Sequence, residues 1–354
     1  MSRSDVALPN LEPMFEEMRV APEIIRPSMF WESLNERNVR QLSESGFERF
    51  KQTINRNYFQ FLPADPRNEQ FQAVLRYWFR RPSPRPFSAR FTDRSRLAAP
   101  SEGIRARALG RYKGALYRLY VALLWDYVHG RDRLGLLDRL EEPELGRPIS
   151  FEYRGRRISE DLCNSVLEAL SVTDPLPGPL GRDTVIELGS GYGRLAWVFL
   201  EAFPEIRYVL VDIPPALAVA EEYLSRLFPA RKVFRFRHFD AYDQVAGELE
   251  QANIAFLTPN QLDLVAPLEA QLFLNVSSLH EMRPEQIAHY IGRVGVHCRG
   301  YFYSKQWLRS VNPDDGVVIR REDYPIPPGW TPVFDRVHPV QTQFFEALYR
   351  LPGA

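Results

Sequence analysis

Residues 184–197 read TVIELGSGYGRLAW, and this stretch constrains the fold more tightly than any other part of the chain. A short β-branched run carries the acid Glu187; Gly189, Gly191 and Gly193 alternate after it, and an apolar helical pattern follows at once. That order is strand, glycine turn, helix. Glycines permit positive φ and close approach of backbone to a ligand, while the first turn of the helix offers unpaired N–H groups. Such a turn binds a nucleotide-like cofactor, with an ordinary tight connection as the competing reading.

The spacing narrows the choice. A dinucleotide site uses G-x-G-x-x-G and a phosphate-binding loop ends in Gly-Lys-Ser/Thr, whereas here the glycines run G-x-G-x-G with no lysine after them. Glu187 would be badly placed beside a pyrophosphate and well placed beside a cation. The next predicted strand, residues 207–212, ends in Asp212, 25 residues after Glu187. An acid in that place accepts hydrogen bonds from ribose hydroxyls. Together the residues resemble the first motif of class I S-adenosylmethionine-dependent methyltransferases, E-x-G-x-G-x-G. That resemblance implies S-adenosyl-L-methionine as cofactor, with Glu187 near its amino-acid end, the glycine turn beneath it and Asp212 at the ribose.

Composition excludes several classes. The 354-residue chain is 45% hydrophobic and 25% charged, as ordinary globular proteins are; Lys+Arg and Asp+Glu both number 45, which argues against a general polyanion binder. The locally basic stretch 76–113, broken by Pro82, Pro84, Pro86 and Pro100, reads as a solvated linker, with a patch for an anionic substrate as the alternative. No nucleic-acid docking motif accompanies it. Cys163 and Cys298 frame neither a disulfide scaffold nor a zinc site, and Asp240, Asp243 and Asp263 share no ligand spacing, so no metal is expected. Asp5, Glu12, Glu16 and Glu17 interrupt any export signal, and the most apolar segment, 115–128, is short for a bilayer span and carries Arg118 and Asp126. A cytoplasmic protein without membrane association is expected.

Four regions follow along the chain. Pro9, Pro13, Pro22 and Pro27 predict an extended lead-in over residues 1–27. Residues 28–145 predict an α-helical accessory region that covers the active site or dimerises; Phe30, Trp31, Leu34, Phe47, Phe50, Ile54, Tyr58 and Phe59 fall at helical steps and read as core, and residues 112–128 as a strongly apolar helix. Residues 146–180 predict a hairpin turning at Arg154-Gly155, a helix capped by Ser159, and a connector stiffened by Pro175, Pro177 and Pro179. Residues 181–354 alternate strands (184–188, 207–212, 232–239, 253–257, 272–276, 301–305 and 343–349) with helices, one of them 284–297. The fold class is α/β, a Rossmann-like doubly wound seven-stranded sheet with an N-terminal α-helical accessory domain, its last strand antiparallel at the sheet edge. Ligands in such sheets sit at the carboxyl ends of strands, where Glu187, Asp212, Asn260 and Asn275 fall.

Methylation of an alcohol requires a base. His280 has the best address, in NVSSLHEMRPEQ after a strand and before a helix, with Glu281 beside it to raise the imidazole pKa and orient the ring. Capping or packing is the competing role, and His238 is the second candidate. The order resembles the catalytic-histidine stretch of small-molecule phenolic O-methyltransferases, which implies that His280 deprotonates the acceptor hydroxyl. Seven segments in order, FWESLNERN, GFERFKQTINRNYF, LGRPISFEYRGRRISEDLCNSV, VIELGSGYGRLAWVF, VLVDIPPALAVAEEYL, IAFLTPNQLDLV and NVSSLHEM, resemble the sugar O-methyltransferase family of bacterial natural-product and polysaccharide gene clusters over about residues 28–350. The resemblance implies cofactor contacts from Glu187, Gly189, Ser190, Gly191, Gly193, Asp212, Ile213, Asn260, Gln261 and Asn275, and a sugar or glycoside as acceptor. In many class I enzymes an acid stands where Asn260 and Gln261 do. N-methylation, a peptide or other scaffold as acceptor, and a non-catalytic cofactor-binding partner protein stay open, as does a homodimer through the N-terminal helices.

Overall fold

The computed structural model describes residues 8–27, 29–53, 65–80, 104–312 and 316–353. Of the linker expected over residues 76–113, residues 81–103 fall outside the described residues, as do Ile54, Tyr58, Phe59 and the side chain of Phe30, whereas its two ends, 76–79 and 104–113, are helical rather than loop. The first helix among the described residues, α1 (Leu11–Val20), stands where an extended lead-in is expected. Pro13 occupies its third position, where a backbone N–H has no intrahelical acceptor, so proline is tolerated there. Among the described residues the helices α2 (Met29–Ser45), α3 (Glu69–Phe79), α4 (Ile104–His129) and the short α5 (Leu136–Arg139) follow.

The hairpin β1 (Phe151–Tyr153) and β2 (Arg156–Ile158) turns at Arg154 and Gly155, both at positive φ, as a two-residue hairpin turn requires. Helix α6 (Glu160–Thr173) starts where Ser159 Oγ accepts the Leu162 N–H at 2.9 Å. Beyond it the chain alternates: β3 (Thr184–Leu188), α7 (Arg194–Ala202), β4 (Arg207–Val211), α8 (Ala216–Leu227), β5 (Val233–Phe234), α9 (Ala246–Gln251), β6 (Ile254–Leu257), α10 (Pro259–Leu264), β7 (Ala270–Val276), α11 (Pro284–His297) and β8 (Cys298–Trp307). A small hairpin, β9 (Arg309–Val311) with β10 (Val318–Arg320), precedes β11 (Thr331–Val337) and β12 (Phe344–Arg350).

Among the described residues the main sheet has eight strands in the order β11-β12-β8-β7-β3-β4-β6-β5. Strands β5 to β8, β3 and β4 pair in parallel, and β12 runs antiparallel between β8 and β11. Two corrections to the sequence reading follow. The count is eight rather than seven, and the antiparallel β12 lies one strand in from the edge that β11 occupies. Residues of β11 are almost all exposed, and Pro332 interrupts the pattern, so its sequence shows no apolar alternation. The strand expected over 232–239 shrinks to two residues. After Phe234 the backbone leaves the ladder, because the Phe236 N–H donates to Glu221 at 2.6 Å and the Arg237 carbonyl accepts from Gln261 at 2.8 Å.

Both faces of the parallel strands are buried, which is why these strands are apolar almost throughout. Val185, Leu210 and Leu272 face one cluster; Ile186, Val209 and Phe273 face the other. The first cluster continues without a break through α6 to Met14, Phe50, Phe71 and Tyr120, so the N-terminal helices share the core of the sheet.

Candidate functional site

Three glycines shape the turn after β3, each at positive φ: 73° at Gly189, 57° at Gly191 and 84° at Gly193. A Cβ on Gly189 would overlap the Ser278 hydroxyl, and one on Gly193 would press into Leu224; one on Gly191 would meet nothing within 4 Å. Gly189 and Gly193 therefore allow packing, whereas Gly191 leaves open the floor of a cavity. The cavity sits at the carboxyl ends of β3, β4 and β7 and is lined by Glu187, Gly189, Ser190, Gly191, Asp212 and Ile213, six of the expected cofactor residues.

Asp212 is held by backbone. Its Oδ2 accepts the Gly191 N–H at 2.6 Å and its Oδ1 the Ile213 N–H at 2.7 Å, leaving lone pairs for a ligand's hydroxyls. Burial pushes its carboxyl up to about 7 despite those two donors. Glu187 accepts the Tyr208 hydroxyl at 2.7 Å, and burial raises it to about 8. Carboxyls so raised are favourable partners for a cation, which would restore their charge. Ser190 Oγ is buried without a hydrogen-bond partner and lines the same cavity.

The other expected cofactor residues stand behind the wall. Asn275 is fully buried: its Nδ2 donates to the Leu188 carbonyl at 2.8 Å and its Oδ1 accepts from Gln306 at 2.6 Å, which ties β7 to β3 and β8. Gln261 closes a capping box with Thr258 at the start of α10, and Asn260 and Gln261 both reach Glu17 at 3.4 Å. Gly193 begins α7. Sequence reasoning missed the roof, where Ile25, Pro27, Trp31 and Leu34 close the cavity from the N-terminal side. Gln286 at the start of α11 donates to the Ile24 and Arg26 carbonyls, both at 3.0 Å, and pins that segment down. No local motif marks these residues, because the contact spans about 260 positions of sequence.

A second cavity shares the wall formed by Arg194, Val276, Ser277 and Glu281. Here the two catalytic candidates part. Glu281 lines both cavities, while His280, 6% exposed, lines neither. The His280 ring packs against Trp307 and Phe344, and its Nδ1 lies 3.0 Å from Gln306 Oε1. Since that oxygen only accepts, the network assigns the proton to Nδ1 and leaves Nε2 bare. Burial lowers His280 to about 4, with the Gln306 bond opposing in part, so the rise expected from Glu281 does not occur. The physical reason is that Glu281 is itself raised to about 8 by burial and by the Asp212 charge; a neutral acid cannot stabilise an imidazolium. His238 is mostly exposed and bonds Glu17 and Asp240 away from both cavities. Among the described residues no group of three or more His, Cys, Asp or Glu is placed to hold a metal, and no helix is long and apolar enough to cross a membrane.

Fold and site define a Rossmann-like α/β protein whose glycine turn and strand-end acids face one ligand cavity. No family model and no curated protein matches the chain. Among solved structures it is similar to mitomycin 7-O-methyltransferase, at 16% identity over 48% of this chain and TM-score 0.33; the match spans about half of that chain, 49%. It is similar to a geranyl diphosphate methyltransferase with GPP and sinefungin, at 12% identity over 52% of this chain and 78% of that one, TM-score 0.35. A SAM-dependent methyltransferase from Aquifex aeolicus matches at 14% identity over 52% of this chain and 93% of that one, TM-score 0.32. At these TM-scores the likenesses carry no argument, and the reading rests on the sheet and the site.

Proposed function

We propose that the protein is an S-adenosylmethionine-dependent O-methyltransferase acting on a hydroxyl of a small molecule, with a sugar of a natural product or polysaccharide precursor as acceptor. One observation carries the proposal: a single cavity gathers the E-x-G-x-G-x-G acid, the open Gly191 floor and Asp212, and adjoins a second cavity across Glu281. The residues fit the cofactor. Asp212 has lone pairs for ribose hydroxyls, Ser190 has an unused hydroxyl, and Glu187 answers a positive charge. Bound there, S-adenosylmethionine would supply an electrophilic methyl group to the acceptor oxygen, with S-adenosylhomocysteine as the leaving group, and the hydroxyl would give up its proton.

That proton goes to Glu281, the carboxyl on the shared wall, and His280 serves behind it as a positioning residue. A carboxylate whose pKa stands near 8 is a stronger base than an ordinary one and is ionised in mildly alkaline solution. The N-terminal helices cover the site and shape the acceptor side. Phe79 and Tyr112, on α3 and α4, are 73% and 59% exposed and support a homodimer through this region. We place the protein in the cytoplasm, where its two buried free cysteines stay reduced. Calorimetric titration with S-adenosylmethionine and S-adenosylhomocysteine, followed by a methyl-transfer screen of glycosides, amines and peptides, tests the reading. Absence of cofactor binding by folded protein overturns it; binding without turnover on any acceptor favours a cofactor-binding partner protein.

A further inference from the structure

The cavity on the far side of Glu281 balances its own charge. Burial alone would raise Glu168, but Arg194 Nη1, 2.6 Å away, and Lys305 Nζ, 2.7 Å away, hold its carboxylate below the usual range. Asp161 accepts the Tyr192 hydroxyl at 2.7 Å and lies in the field of the same Arg194. Burial first, then the Asp161 charge, raises Glu160 to about 8, as burial and the Asp212 charge raise Glu281, so both stay protonated at neutral pH. Two carboxylates thus face two cations, and the lining carries no net charge.

Neither cation is left for a ligand. Lys305 also donates to Gln341, and Arg194 to Ser165 at 2.8 Å. An anion would compete with Glu168 for groups already bound, and an ammonium would meet only carboxyls that are protonated or paired. Either ion would give up its water without a free counter-charge. What the lining does offer is neutral hydrogen bonding. Asn164 is 8% exposed, lines this cavity, and its Oδ1 is buried with no hydrogen-bond partner, so it calls for a donor. Glu160 stands four residues before it on α6, hence on the same face of the helix. A protonated carboxyl has an O–H to give. One hydroxyl both donates and accepts, and answers the two residues together. Trp307 and Phe344, ring centroids 5.5 Å apart, add apolar surface for the C–H groups of the same ligand.

We propose that, on the methyl-transfer reading above, this cavity is the acceptor site and selects by charge: it takes a polyol with no ionised group in the docked portion, one hydroxyl of which is held between Glu160 and Asn164. These two residues determine specificity, and the ion pairs of Glu168 keep the charged relatives of the acceptor out.

The test uses the full chain saturated with S-adenosylhomocysteine at neutral pH, titrated with glucose and inositol, and with glucosamine and glucuronate as their cationic and anionic matches. The uncharged polyols bind at least about tenfold more tightly than either ion. Asn164→Leu and Glu160→Leu each weaken the polyols, whereas Glu160→Gln, whose amide still donates and accepts, restores most of the affinity. All three variants bind S-adenosylhomocysteine within about twofold of wild type, since neither residue lines the cofactor cavity; the wild-type comparison decides by itself where a variant does not fold. Binding of either ion as tight as that of the polyols, no polyol binding while S-adenosylhomocysteine still binds, or a Glu160→Gln variant as weak as Glu160→Leu overturns the proposal and leaves the methyl-transfer reading standing. Failure of S-adenosylhomocysteine to bind wild type overturns that reading, and the proposal with it.

Discussion

Nε2 of His280 lies 3.7 Å from Oε1 of Glu281, yet only the glutamate reaches the cavities. Neighbours in sequence here occupy the two sides of one wall. The imidazole is held by Gln306 in a site that disfavours its charge; the carboxyl meets the ligand space.

Removing a general base costs about 10²–10⁴-fold in rate. Glu281→Gln is therefore expected to lower kcat by at least about 10²-fold while leaving S-adenosylhomocysteine affinity within a few fold. In wild type kcat rises with pH toward a plateau above about 8, because the base must be ionised. His280→Ala loses less and keeps that pH profile. The assignment fails if His280→Ala abolishes turnover while Glu281→Gln remains active.

Asp212→Ala removes an acceptor that two backbone N–H groups have already aimed. Hydrogen bonds to a charged group contribute about 1.5–3 kcal/mol, so cofactor affinity falls roughly 10–150-fold by calorimetry. Unchanged affinity in a folded variant sinks the ribose role.

How far this was legible in sequence differs by residue. Glu187, the glycines and Asp212 could be placed because a strand, a turn and a helix of adjacent sequence fix their geometry. Helix 284–297 was readable to the residue, since Pro284 starts it and its apolar spacing is regular. Asn275 sits at a strand end as expected and Gln261 follows β6 in the first turn of α10, but their side chains serve the packing of β7 and α10; which way a polar side chain turns at a strand end is a tertiary matter. Edge strand β11 has no buried face and hence no pattern. The roof over the cavity was illegible because it joins residues near 25 to residues near 286.

Two glycine variants separate packing from strain. Gly189→Ala forces a methyl into the Ser278 hydroxyl at positive φ, and is expected to lower thermal stability and abolish cofactor binding. Gly191→Ala has open space and suffers only the backbone penalty, about 1–2 kcal/mol. Equal melting temperatures for the two variants would contradict the contact with Ser278.

Stability of the ligand-free protein should depend on pH in two windows. Glu187, Glu281 and Glu160 are raised to about 8 and Asp212 to about 7, so the native state keeps protons that the unfolded chain has lost. Their contribution is full below the unfolded carboxyl range and is lost as pH rises through 7 to 8. His280 and His297, lowered to about 4, act oppositely: their contribution is present above the ordinary histidine range and is lost as pH falls toward 4. Between about pH 4.5 and 6.5 the four carboxyls outweigh the two histidines, so on these groups melting temperature should be highest near about pH 4.5 and decline as pH rises toward 8, and Glu187→Gln should make that decline shallower. A wild-type curve that climbs steadily from pH 6 to 9 refutes this.

Besides the packing of Met14, the N-terminal helix is fastened to the sheet through a buried acid. Glu17 of α1, 1% exposed at its side chain, accepts the Thr258 hydroxyl at 2.8 Å and the amides of Asn260 and Gln261 at 3.4 Å, at the turn that follows β6. Glu17→Ala leaves those donors without their shared acceptor, a loss of about 1–3 kcal/mol that falls on the attachment of α1 rather than on the sheet. The segment carrying Ile25 and Pro27 follows α1 directly, so the roof should open more often, cofactor affinity should drop several-fold, and limited proteolysis should cut ahead of α2 while the sheet domain stays intact. Glu17→Gln keeps one acceptor oxygen and should fall between. If Glu17→Ala matches wild type in both protease pattern and S-adenosylhomocysteine affinity, the roof is held without Glu17, by contacts such as those of Gln286 and Arg283 at the start of α11.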